Sequence, residues 1–188
     1  MTHTSMTLYQ RVLKDEFALL HPMLQRFHAS HYGGGGRGPF EVIRGTNVFS
    51  RLMGLMMGLP PAAKHVEVVL DVETRQGDEY WSRTFGDWPM HSRQRERDGL
   101  LLEYSGPACV GFRLSVEDGE LVFTSKRAWL LGIPLPSFFV PIVHVKTNVG
   151  EDGWQLDARI DVRWIGLLIH YKGFIRGEPK LADASKEK

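Results

Sequence analysis

Trp154-Gln-Leu-Asp-Ala-Arg-Ile-Asp-Val-Arg-Trp164 alternates without a break between apolar and polar side chains. Trp154, Leu156, Ala158, Ile160, Val162 and Trp164 share one parity; Gln155, Asp157, Arg159, Asp161 and Arg163 share the other. A period of two belongs to a strand with one face buried and one in water, the usual state of an antiparallel sheet. With a tryptophan at each end, the buried face is expected to look onto a large interior. A second run, Leu167–Ile175, follows Ile165-Gly166.

The same signature repeats upstream. Val66, Val68, Leu70 and Val72 alternate with Glu67, Asp71 and Glu73, and Gly77-Asp78 supplies a turn. Glu79–Phe85, Trp88–Arg95, Leu100–Tyr104, Cys109–Glu117, Glu120–Trp129 and Ile142–Val149 follow. Turn pairs such as Gly86-Asp87, Asp98-Gly99 and Asp118-Gly119 separate them, the last being a strong hairpin signal. Residues 65–176 therefore read as an antiparallel meander. A sheet this long should curl or close, because closure removes exposed edges. The expected fold is mainly β (α+β), with about eight to ten strands curled into a lipocalin-like barrel. The alternative is a helix-grip (START-like) sheet, ranked lower because the long final helix of that fold is missing.

Residues 7–29 read as one helix with Thr7 as N-cap, since Leu8, Val12, Leu13, Phe17, Leu20, Leu24 and Phe27 recur at intervals of three and four. Gly33-Gly34-Gly35-Gly36 reads as a flexible linker, given the backbone entropy of four glycines. It lacks the Gly-Lys-Ser/Thr ending of a phosphate loop. Residues 40–64 read as a short strand, Phe40–Arg44, then a Met-rich helix from Val48 to about Leu59, capped by Gly45-Thr-Asn47 and ended by Gly58 and Pro60-Pro61. That helix is apolar almost all round, so it plugs the core or touches something apolar. Leu130–Pro141 carries Pro134, Pro136 and Pro141 and reads as an apolar loop folded over a barrel mouth or against a partner. Residues 1–176 form one expected domain, and 177–188 a flexible tail.

Composition excludes several classes. A net charge of +1 argues against a nucleic-acid partner. The single cysteine, Cys109, rules out an internal disulfide framework and reads as a small buried hydrophobe in a cytoplasmic protein. No signal-peptide pattern opens the sequence, and the longest apolar stretches are too short or too proline-rich to span a bilayer. His21, His28 and His31 lack the partners of a zinc site and read as surface histidines; no metal and no cofactor is expected. No Gly-x-Ser-x-Gly elbow is present.

Five segments together resemble a bacterial domain family of unknown function: Leu8-Tyr-x-x-Val12, Trp81-Ser-Arg-Thr-Phe-Gly86, Glu103-Tyr-Ser-Gly-Pro107, Gly132-Ile-Pro-Leu-Pro136 and Gly166-Leu-Leu-Ile-His-Tyr-Lys-Gly173. The resemblance spans about residues 7–176. That domain occurs alone or fused behind saccharopine-dehydrogenase-like reductases and some membrane proteins. The resemblance implies no catalytic residue, only company with redox enzymes acting on small or lipid-like substrates.

Parity nominates a site. Trp81, Arg83 and Phe85 share a face, as do Phe123, Arg127 and Trp129. An inward arginine needs a carboxylate or a ligand anion, and Glu103 or Glu117 could answer, with Tyr104 or Tyr171 adding a hydroxyl. His170 should lie outside with Lys172. The first expectation is a binding module for a hydrophobic molecule (lipid, isoprenoid or fatty-acid-like), lined by Trp81, Phe85, Phe112, Phe123, Trp129, Trp154 and Trp164. Arg83 or Arg127 would hold its acidic or oxygenated head. Leu52, Met53, Met56, Met57, Pro134, Pro136, Phe138 and Phe139 would form the rim. The alternatives are a docking module in which that rim meets a reductase-type enzyme or a membrane surface, and a small enzyme in the same cavity. The oligomeric state stays open.

Overall fold

The computed structural model describes residues 6–150 and 152–180. The first departure from expectation is at Pro22. Proline lacks an N–H and pushes the residue before it into extended backbone, and His21 sits at ψ 139°. Pro22 thus begins a separate α2 (Pro22–His28), and Lys14, at φ 53°, already ends α1 (Leu8–Leu13) ahead of a 3-10 turn (Lys14–Leu19), so the expected helix over 7–29 is three pieces.

The second departure is the glycine run. It is not a linker but the start of a central strand, β1 (Gly34–Arg44), between β2 (Ala63–Arg75) and β11 (Gly166–Pro179). Glycine weakens an isolated strand, yet here the missing side chains admit neighbours. A Cβ on Gly34 would stand 2.2 Å from the Phe27 ring of α2, and one on Gly38 would stand 1.8 Å from the Phe174 carbonyl oxygen. The ladder to β11 lapses at Gly38 and Pro39, where Pro39 has no N–H to give. The expected tail over 177–188 begins inside β11, and its residues 181–188 lie outside the described residues.

The remaining strands run close to the reading: β3 (Asp78–Phe85), β4 (Trp88–Arg97), β5 (Leu100–Ser105), β6 (Ala108–Glu117), β7 (Glu120–Leu130), β9 (Ile142–Gly150) and β10 (Gly153–Val162), while the expected loop 130–141 also holds a two-residue edge strand, β8 (Ile133–Pro134). All pair antiparallel in one eleven-stranded sheet, ordered β8-β7-β6-β5-β4-β3-β2-β1-β11-β10-β9. The sheet curls until β7 lies against β9, but it does not close. β8 occupies the edge of β7 at Trp129 and Leu130, and lower down the Leu121 N–H turns to the Thr147 hydroxyl at 3.4 Å. The expected closed lipocalin-like barrel is corrected to a curled open sheet. Among the described residues no helix follows β11, as a helix-grip fold would require.

The helices cover the two ends. α1 and α2 plug one: Leu8, Tyr9, Leu24 and Phe27 are buried, the Arg11 guanidinium donates to the Gly77 carbonyl at 2.6 Å, and the His21 N–H donates to Gly119 at 2.9 Å. At the other end lies α3 (Val48–Met56), capped by the Asn47 side chain. Met53 turns to the interior, but the side of α3 that packs on β1 and β11 is small. Ser50 is fully buried and donates to the Leu167 carbonyl at 2.7 Å, while Gly54 lies on the Arg44 guanidinium. Arg44 in turn donates to the carbonyls of Leu59, Pro60 and Leu168. With that face taken by small residues, Phe49, Leu52 and Leu55 point into water. No helix among the described residues is long and apolar enough to cross a membrane.

Candidate functional site

The inner face of the sheet surrounds a cavity of about 440 Å³. Residues of every strand except β8 line it, together with α2 and α3. Met56 and Phe139 both line it and stand exposed, so it reaches the surface between α3 and the proline-bearing loop.

The hairpins β3–β4–β5 supply its polar wall. Alternation along β3 turns Glu79, Trp81, Arg83 and Phe85 to one face, and the antiparallel register sets Ser92 opposite Trp81 and Gln94 between Glu79 and Glu103. Arg83 Nη1 donates to the Ser92 hydroxyl at 3.0 Å, and that hydroxyl donates to Glu103 Oε1 at 2.7 Å. Arg83 Nη2 lies 3.4 Å from the same carboxylate oxygen, and its guanidinium stacks 4.9 Å from the Trp81 ring. Deeper in, the Tyr9 hydroxyl donates to Gln94 Oε1 at 2.9 Å. Tyr171 lines the same cavity as Arg83. Its hydroxyl is pushed up from the ordinary tyrosine range, chiefly by burial, while Arg83 pulls it down and Glu103 raises it.

Of the residues nominated by sequence, Trp81, Arg83, Phe85, Phe112, Phe123, Trp129, Trp154 and Tyr171 line the cavity, as do Met53, Met56, Met57 and Phe139 at its mouth. Three of the interior nominees do not. Tyr104 follows Glu103 directly, so only one of the two can face inward, and Tyr104 is the exposed one. Arg127 is turned out by a bulge: Phe112 pairs Ser125 and Gly111 pairs Arg127, leaving Lys126 unmatched. Trp164 lies beyond the end of β10 in the turn to β11 and is 75% exposed. Tyr104 and Arg127 meet instead in an outer pocket of about 340 Å³. Leu52, Pro134, Pro136 and Phe138 are exposed at the same end without lining the cavity. His170 faces outward and pairs with Asp157 at 2.9 Å.

Four polar residues lining this wall, Tyr9, His28, Ser92 and Gln94, and Glu79 behind it escape a reading by strand parity from the arginines alone. Parity counted back from Trp81 would have found Glu79, and register would have found Gln94. His28 is not a surface residue. It is buried with its ring 3.8 Å from that of Tyr9, and its Nδ1 has no hydrogen-bond partner among the described residues. Burial holds it neutral, down to about 3. Among the described residues no group of three metal-ligating side chains is gathered.

Glu79 is a buried carboxyl whose protonation is coupled to stability. Burial raises it to about 7, against the Trp81 indole that donates to it at 2.9 Å and the charge of Arg11. Between its ordinary 4.5 and about 7 the folded chain holds a proton that the unfolded chain has released. Stability from this group therefore falls as pH rises through that window, and the penalty is complete above it. His28 works in the opposite sense, costing stability as pH falls from 6.5 toward about 3. Glu79→Gln is expected to stabilise the protein by about 2–3 kcal/mol at pH 8 and negligibly at pH 4, read by urea unfolding at both. An equal difference at the two pH values would refute the assignment.

A family model described as domain of unknown function (DUF4166) matches residues 20–175. No curated protein matches the chain, and no solved structure matches it.

Proposed function

Because the chain belongs to the DUF4166 family, whose description assigns no activity, we propose a function from its geometry: a non-catalytic binding module for a hydrophobic small molecule bearing an uncharged oxygen-containing head. The observation that carries this reading is the cavity, in which Arg83 and Glu103 are the only charged side chains among the described lining residues. Its volume of about 440 Å³ lies in the range of small-molecule sites, typically about 300–1,000 Å³. Aromatic and aliphatic walls suit a lipid, isoprenoid or fatty chain.

The head follows from the ion pair. The charge of Arg83 is already met by Glu103 and Ser92, so a ligand carboxylate would have to displace a carboxylate in place. An alcohol needs no displacement. It accepts from a remaining guanidinium N–H, donates to Glu103, and finds the Tyr171 hydroxyl, which burial keeps protonated, as a further partner. Glu79, the carboxyl held near neutrality, does not line the cavity, so no reaction is part of this reading. The resemblance to domains fused behind saccharopine-dehydrogenase-like reductases in bacteria suits a cytoplasmic carrier that presents its molecule to a redox enzyme.

Native mass spectrometry with solvent extraction, on protein purified from its own host, tests the reading directly. A co-purifying uncharged lipid is the expected result. In displacement of a neutral fluorescent probe, a long-chain alcohol is expected to compete about tenfold better than the acid of equal length. Glu103→Gln, which frees the charge of Arg83, should reverse that order. Clean unliganded protein that neither compound displaces probe from would dispose of the cavity reading.

A further inference from the structure

Most of the exposed large apolar side chains are gathered at one end of the molecule; Met6, Leu19 and Tyr32 are exposed at the other. The strands run between two sets of connections. One set, residues 45–62, 86–87, 106–107, 131–141 and 163–165, surrounds the cavity mouth; the other is closed by α1 and α2. At the mouth Phe49 and Leu55 of α3 are 68% and 75% exposed, and Leu131, Phe138 and Trp164 stand in water beside them on neighbouring connections. Soluble monomers rarely show so much contiguous apolar surface without a use for it.

Charge divides the same way. The mouth connections carry Arg51 and Arg163 against Asp87 alone. The plugged end carries Asp15, Glu16, Asp98, Asp118 and Asp152 against Arg11, Lys14 and Arg26, a slight acidic excess. The molecule therefore has an apolar, faintly basic end and a slightly acidic one.

We propose that the mouth end is a membrane-docking face, which lays α3 and the 131–141 loop into the interface of an anionic phospholipid bilayer. α3, at nine residues, is far too short to span. With Phe49, Leu52 and Leu55 outward and Ser50 and Gly54 inward, it has the form of a helix lying in the headgroup layer. The basic residues meet anionic headgroups while the acidic end is held away. A second copy of the chain is the poorer occupant, since a two-fold contact would press together two faces that each carry Arg51 and Arg163 with only Asp87 to answer them. The inference stands on exposure and charge and does not require the cavity to be filled. If both hold, the cavity opens directly onto the phase in which its ligand dissolves.

Co-sedimentation with extruded vesicles tests it. The protein is expected to sediment with vesicles of phosphatidylcholine mixed with phosphatidylglycerol, less with phosphatidylcholine alone, and less again at high salt. Phe49→Asp with Leu55→Asp should weaken vesicle binding about tenfold or more, since two side chains lose their apolar burial. The melting temperature should not move, because both side chains already stand in water, and probe binding in the cavity should persist. Arg51→Glu with Arg163→Glu should abolish the preference for the anionic mixture. The proposal is overturned by failure to sediment with either vesicle, by equal binding to both, or by unchanged binding of the Phe49 and Leu55 variant. It is also overturned by a concentration-dependent dimer in light scattering that this variant dissolves, which would assign the face to a second copy.

Discussion

Gly38→Ala is expected to destabilise the protein by about 3 kcal/mol or more, and on a marginally stable chain to prevent folding. The added Cβ would stand 1.8 Å from the carbonyl oxygen of Phe174. That oxygen belongs to the backbone of β11 and cannot swing aside as a side-chain tip can. β1 is also held on its other side by β2, with Gly38 opposite Val68. Relief would require two ladders to shift together. Gly35→Ala serves as the control, because its Cβ would come no nearer than 3.3 Å to the Leu70 oxygen. Urea unfolding followed by far-ultraviolet dichroism compares the two, and a Gly38→Ala midpoint within about 1 kcal/mol of the parent would show that the strands yield more easily than their packing implies.

The second large effect belongs to the polar wall. Glu103→Ala is expected to cost about 3 kcal/mol, because it strands the Arg83 guanidinium in an apolar cavity. The Arg83 side chain is only 13% exposed. Losing Glu103 also leaves the Ser92 hydroxyl, which donates to that carboxylate, without its acceptor. Arg83→Met alone should cost less, since Glu103 is the more exposed partner and keeps Ser92. The double variant should recover most of the loss, as replacing both ions by apolar groups removes the unpaired charge. A double-mutant cycle in urea measures this, and additive losses would mean that the pair is not coupled.

The sheet was legible in the sequence where backbone regularity held. Alternation along Glu79–Phe85 places Trp81, Arg83 and Phe85 together, and of the two carboxylates offered to the arginine, Glu103 and Glu117, the register of two regular hairpins brings Glu103 to Arg83. The same counting lost Arg127 and Trp164, the first to a bulge and the second to a strand that ended early. Neither event leaves a mark in local composition. Glycines 33–36 were opaque for a different reason. Their cost in entropy is local and visible, whereas the compensation, the Phe27 ring and the close approach of β11, comes from parts of the chain remote in sequence. The Met-rich helix was apolar on nearly every side, so its composition could not say which side faced the protein. Small Ser50 and Gly54 decided that by admitting Leu167 and Arg44.

The pairing of β1 with β11 sets the order in which the chain can be completed. Gly34 lies opposite Pro179, so β1 waits through the synthesis of residues 45–165 before its second neighbour begins to leave the ribosome. Until then β1 has only β2 beside it, and the inner faces of β2 to β7 have no opposite wall. Closure of the interior is thus a late, long-range event, of the kind that folds slowly. Its nascent form carries an apolar surface and an unpaired edge that invite aggregation. The protein is expected to depend on chaperones during synthesis more than its size alone would suggest, and a chain cut short before Gly166 should be recovered as aggregate.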